Sequence, residues 1–109
     1  MTNENIAKIC YEANKAFCEI IKEEVLSWEQ CKDSTIKGVE AFNKNCNIST
    51  KAIHDNWVKD KLADNWKYGP IKDFEKKEHP CIKDYHDLSL TQRFKDNLFL
   101  AICRCFNNV

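Results

Sequence analysis

The sequence predicts a mainly α-helical small single domain of about four helices, with a long ordered aromatic loop or short β-hairpin between the last two helices. Apolar residues recur at three- and four-residue steps in separate stretches, the signature of amphipathic helices. Between Asn65 and Leu88 that pattern stops, and Gly69-Pro70 and His79-Pro80 each push the residue before proline out of helical geometry. The whole chain is 109 residues, which is one domain's worth.

Thr2 or Asn3 caps a first helix, whose stripe of Ile6, Ile9, Cys10, Ala13, Phe17 and Ile20 runs to about Glu24. Asp33 or Ser34 is the expected cap of a second helix with Ile36, Val39 and Phe42 on one face, and Trp28 anchors the connection before it. Ser49 and Thr50 open a third helix, in which Ile53, Trp57 and Lys61 fall four apart and share a face, with His54 and Val58 beside them. That pattern ends after Ala63. Ser89 with Gln92 reads as a capping box for a last helix, with Phe94, Leu98, Ala101, Ile102, Cys105 and Phe106 inward. A loop of more than about 20 residues is uncommon in a small domain and usually functional.

Seventeen basic and seventeen acidic side chains cancel, so no global field draws the chain onto nucleic acid or an anionic membrane. No apolar run approaches the roughly 20 residues that cross a bilayer, and the N-terminal segment lacks a signal-peptide pattern. A cytoplasmic location is expected, in the host cell if the source is viral. The seven cysteines include no CxxC pair and read as reduced, mostly buried thiols. At this size a partner often completes the core, so a homodimer or higher homo-oligomer is expected.

The chemistry concentrates between Ile53 and Cys81. Trp57, Trp66, Tyr68 and Tyr85 lie close in sequence to Lys61, Lys67, Lys72, Lys76, Lys77 and His79. Aromatic faces stack a base at about 1 to 3 kcal/mol each, and ammonium groups hold phosphate oxygens. The same rings also suit pinning the loop onto the helices, with the lysines, interrupted by Asp60, Asp64, Asp73, Glu75 and Glu78, forming a solvated surface. His54, His79 and His86 are the available bases, but no Ser or Cys has a nucleophile's setting, so no catalytic residue is assigned. His79, Cys81 and His86 lack the paired spacing of a zinc site, and neither a metal nor a cofactor is expected.

His54, Trp57, Lys61, Trp66, Tyr68, Gly69, Asp73, Lys77, His79, Pro80, Tyr85 and Leu88 stand in one register. In that order they resemble the ryanodine-receptor repeat, or RyR domain, from Ile53 to roughly Phe99. The chain departs from the pattern at Asn65, where Gly usually precedes the Trp, and at Asp84 and Ser89, where Pro is usual. Asn tolerates left-handed geometry, so the turn before Trp66 survives the exchange. Residues 49–106 are read as the RyR-repeat-like segment and 1–48 as a helical extension, similar to that of small free-standing phage and bacterial RyR-domain proteins.

The resemblance implies ligand binding without chemistry, with a nucleotide base stacked on Trp57 and a cation from Lys61. Trp66, Tyr68 and His79 would line the loop side and Lys72 or Lys77 would contact phosphate. His54 and Asp73 complete the candidate set. The implied protein is a non-enzymatic binder that sequesters or senses a nucleotide-derived second messenger, an ADP-ribose derivative or cyclic (oligo)nucleotide, as a phage anti-defence sponge would. The alternative is a protein-protein interaction module using a Trp57 and Trp66 surface.

Overall fold

The computed structural model describes residues 1–106 and contains four helices: α1 (Asn3–Ile20), α2 (Trp28–Lys44), α3 (Thr50–Ala63) and α4 (Leu90–Phe106). Two-residue strands, β1 (Lys67–Tyr68) and β2 (Glu78–His79), and a 3₁₀ turn at Tyr85–Asp87 occupy the segment between α3 and α4. The mainly helical expectation is met. The strands, however, form a parallel pair, Lys67 opposite Glu78 and Tyr68 opposite His79, where a hairpin would be antiparallel. The reason is a second reversal inside the loop. Asp73 and Glu78 exchange backbone hydrogen bonds at 2.9 and 3.0 Å, which turns the chain so that β2 returns in the direction of β1.

Thr2 caps α1 by accepting from the Asn5 amide, and Ser49 caps α3 by accepting from Ala52, as the sequence predicts. The second helix starts earlier than expected. Ser27 and Gln30 form a reciprocal capping box, so Trp28 is inside α2 and Asp33 and Ser34 lie past its first turn. At α4, Ser89 accepts from the Gln92 amide at 3.2 Å, but the Gln92 side chain reaches Glu23 instead of returning to the cap.

Two helices end in the same way. The amide of Glu23 bonds to the Cys18 carbonyl around Lys22 at φ 59°, and the amide of Trp66 bonds to the Lys61 carbonyl around Asn65 at φ 66°. Each is a Schellman stop with a non-glycine residue in the left-handed region. The expected tolerance of Asn65 is thus used, and the turn carries Trp66 inward to 5% exposure. The stop at Ile20 ends α1 before Glu24. Asp84, which stands where the pattern usually has proline, keeps a proline-like φ of −57° and accepts from the His86 amide at 2.9 Å.

The core lies between α1, α2 and α4, centred on Ala7, Val39, Phe42, Leu100 and Cys103, with Ile53 joining from α3. The inward face of α4 differs from the expected one: Leu100 and Cys103 are buried, whereas Phe94 is 45% exposed and Ala101 and Cys105 face outward. Ile9 and Ile20 of α1 are likewise exposed. Aromatic contact explains part of this, since Phe94 packs on Phe17 with centroids 4.8 Å apart at the edge of the α1–α4 seam. No helix among the described residues is long and apolar enough to cross a membrane.

Candidate functional site

Beside the core, α3 and the loop after it stand off from α1, α2 and the start of α4, and enclose a cavity of about 490 Å³. That volume is within the range of small-molecule sites. Six of the candidate residues line it: His54, Trp57, Lys61, Trp66, Lys72 and His79. The four-residue spacing of Trp57 and Lys61 puts both on the cavity side of α3, while the Asn65 turn and β2 bring Trp66 and His79 beside them.

The rings form a continuous set. His54 stacks on Trp57 at 5.7 Å and 26°, His79 meets Trp57 edge-on at 5.0 Å, and Phe74 meets Trp66 edge-on at 6.1 Å. The Lys61 ammonium lies 4.7 Å from the centre of Trp66 and 5.9 Å from that of Trp57. No carboxylate comes within 4.0 Å of it among the described residues. Burial pushes its pKa down, which marks a cation held partly out of water over two aromatic faces.

Both cavity histidines have a ring nitrogen fixed by a backbone hydrogen bond. Nε2 of His54 lies 2.8 Å from the Lys83 carbonyl and therefore carries a proton. His79 also carries its N–H on Nε2, because Nδ1 accepts from the Cys81 amide at 3.0 Å. Burial, reinforced by Lys72 and Lys95, drives the His79 pKa down to about 3. It is neutral at physiological pH, a fixed donor and not a base.

Lys72 donates to the Glu24 carbonyl, and burial with the nearby Lys95 lowers its pKa. Lys95 pairs with Glu23, which also accepts from Gln92 at 2.9 Å. Burial pushes the Glu23 carboxyl up, but the Lys95 and Gln92 hydrogen bonds outweigh it and hold it below the ordinary value. Cys81 donates from sulfur to Gln92 at 2.9 Å. Its thiol is pushed up to about 11 by burial, which leaves it unreactive.

Three candidates lie elsewhere. Tyr68 is 53% exposed. Asp73 accepts from the Glu75 and Lys76 amides at 2.9 and 3.1 Å and shapes the turn before β2. Lys77, in the left-handed region at φ 54°, donates to the Asp64 carbonyl at 3.0 Å and lines a neighbouring cavity of about 330 Å³. The surface required for docking through both tryptophans is reduced by the burial of Trp66. Among the described residues no three His, Cys, Asp or Glu side chains gather as metal ligands.

The sequence reading missed Asn14, Glu23, Gln92, Lys95 and Asp96, all polar residues near or on the cavity wall. One signal was present for Asp96: it stands four residues before the buried Leu100, an acid on the stripe that faces inward.

A family model described as RyR domain matches residues 33–101, from within α2 into α4. The match therefore takes in α3, the whole aromatic loop and the start of the core face of α4. No solved structure matches the chain.

Proposed function

The chain belongs to the RyR domain family, and from that premise and the cavity we propose that it is a non-catalytic binding protein for a nucleotide-type small molecule. The observation that carries the proposal is Lys61. A partly buried ammonium over Trp66 and Trp57, without a carboxylate partner among the described residues, is a site prepared for an anion attached to a flat ring. Lys72 supplies a second cation in the same cavity, and the Nε2–H of neutral His79 supplies a neutral donor. The buried thiol of Cys81 and the low pKa of His79 favour retention of the ligand over its conversion.

Sequestration or sensing of a nucleotide second messenger, such as an ADP-ribose derivative or a cyclic (oligo)nucleotide, needs affinity and no chemistry, and it is the role we assign. In a phage, such a protein would act as a sponge in the host cytoplasm, with a second copy joining it as a homodimer. The test is thermal unfolding against ADP-ribose, its cyclic forms, cyclic di- and trinucleotides and ATP, followed by mass spectrometry of the ligand after heating. A ligand specific for the folded state stabilises it by about 2.7 kcal/mol at a hundred times its dissociation constant. A shift by one compound, recovered intact, is the expected result. No shift with any of them overturns the proposal, and recovery of an altered compound replaces it with an enzyme.

A further inference from the structure

The cavity contains a carboxyl group to which no described residue donates a hydrogen bond. Asp96 projects from α4 into it with its side chain 16% exposed. The nearest ring atom is Nδ1 of His54, at 3.9 Å from Oδ2, which is beyond hydrogen-bond reach. Among the described residues Asp96 accepts no hydrogen bond, although a buried carboxyl ordinarily has partners. Among the described residues the cavity has other unmatched polar atoms: Nδ1 of His54 makes no hydrogen bond, and the buried Oδ1 of Asn14, on the α1 wall, has no partner. Asp96, Asn14 and His54 line the same cavity as Trp57, so they border the space open to a base that stacks on that ring.

We infer that Asp96 is the residue that reads the hydrogen-bonding edge of the ligand's base. The inference rests on the nucleotide reading above. A carboxylic acid donates through O–H and accepts through C=O, which matches an adenine-type edge, where an amino donor stands beside a ring acceptor. A carboxylate only accepts. It matches the two adjacent donors of a guanine-type edge and repels the lone pair of the adenine-type ring nitrogen.

Burial supports the acid form, pushing Asp96 up from 3.8 to about 7. The groups facing it are His54 from α3, Lys95 on its own helix, which favours the charged form, and Cys81 from the segment after β2, held as a thiol. Asp96 thereby couples the choice of base to pH: the acid form selects the adenine-type edge, and ionisation shifts the preference toward guanine.

The test is calorimetric titration of ADP and of GDP into the full chain at pH 6, 7 and 8. The two probes share one diphosphate, so its own titration cancels in their ratio. The preference for ADP over GDP is expected to fall by about tenfold between pH 7 and 8. In Asp96→Asn, whose amide also donates and accepts, the ratio is expected to hold constant with pH. In Asp96→Leu the preference itself is expected to vanish while the stronger of the two affinities drops by at least about tenfold. Binding with a pH-independent ratio in the wild-type chain overturns the role of Asp96 and leaves the nucleotide reading standing. Absence of binding by both probes also overturns it, and the wider ligand panel then decides the nucleotide reading on its own.

Discussion

The two sides of the domain follow opposite rules. Between α1, α2 and α4, Ala7, Val39, Phe42, Leu100 and Cys103 are essentially closed to water and bring almost no polar group with them. Across the cavity wall, His54, His79, Lys61 and Asp96 are also largely withdrawn from water, yet each is polar and most retain an unused donor, acceptor or charge. Burying polar groups without partners opposes folding. The first region therefore supplies stability, and the second spends some of it on groups arranged for something outside the chain.

That contrast is broken most severely in the core. Phe42→Ala removes a fully buried ring and is expected to destabilise the domain by about 3 to 5 kcal/mol, close to the whole stability of a small domain, measured by denaturant unfolding. Cavity substitutions are expected to act in the other direction. A loss of only a few tenths of a kcal/mol at Phe42 would mean that the core is not where the fold is held.

The pH dependence of stability sharpens the same comparison. Asp96 has a folded pKa raised from 3.8 to about 7, so its contribution is present at low pH and is lost as pH rises between those values. His79 has a folded pKa lowered from 6.5 to about 3, so its contribution is present above 6.5 and is lost as pH falls. Between about pH 4 and 6.5 the two slopes oppose each other. Asp96→Asn removes one of them, and the variant is expected to exceed the wild type by roughly 2 to 4 kcal/mol above pH 7, converging with it near pH 4. A difference between Asp96→Asn and the wild type that is the same at pH 5 and pH 8 would place Asp96 in contact with solvent.

Much of this was legible in the sequence where a short pattern maps directly onto geometry. Ser49 before the Ile53, Trp57 and Lys61 spacing gave α3 its start and the cavity face its two main residues, and the tolerance of Asn65 for positive φ gave the turn that buries Trp66. The parallel strand pairing was not legible, because it depends on the Asp73–Glu78 reversal, a contact between backbone groups with no side-chain period. Ser27 and Gln30 did carry the signal for the start of α2, but Asp33 and Ser34 offered a competing cap. Glu23, Lys95 and Asp96 were hidden for another reason: in a chain with 17 acids and 17 bases, sequence cannot tell a buried charge from a solvated one.

A smaller effect separates the sites within the loop. Gly69 approaches β2 so closely that an added Cβ would meet that of Glu78 at 2.5 Å, against backbone-anchored atoms. Gly69→Ala is expected to destabilise by about 1 to 3 kcal/mol through displacement of the strand pair. Tyr68, next to it but 53% exposed, is expected to change stability by less than about 0.5 kcal/mol on substitution by Ala and to leave ligand binding intact. A large loss of affinity in Tyr68→Ala would move the site from the cavity to the outer face of the loop.

The most direct measurement is calorimetric titration of the nucleotide selected by the thermal panel into the wild type and Lys61→Met, with the melting temperature of each recorded alone. Met preserves most of the Lys61 volume over Trp66 and removes the charge that burial opposes. The expected result is an affinity reduced by about 10- to 100-fold, the loss of one charge-assisted hydrogen bond, in a variant that melts no lower than the wild type. Unchanged affinity in a stably folded Lys61→Met would contradict the account, because the cavity would then hold its ligand without the cation on which the proposed function rests.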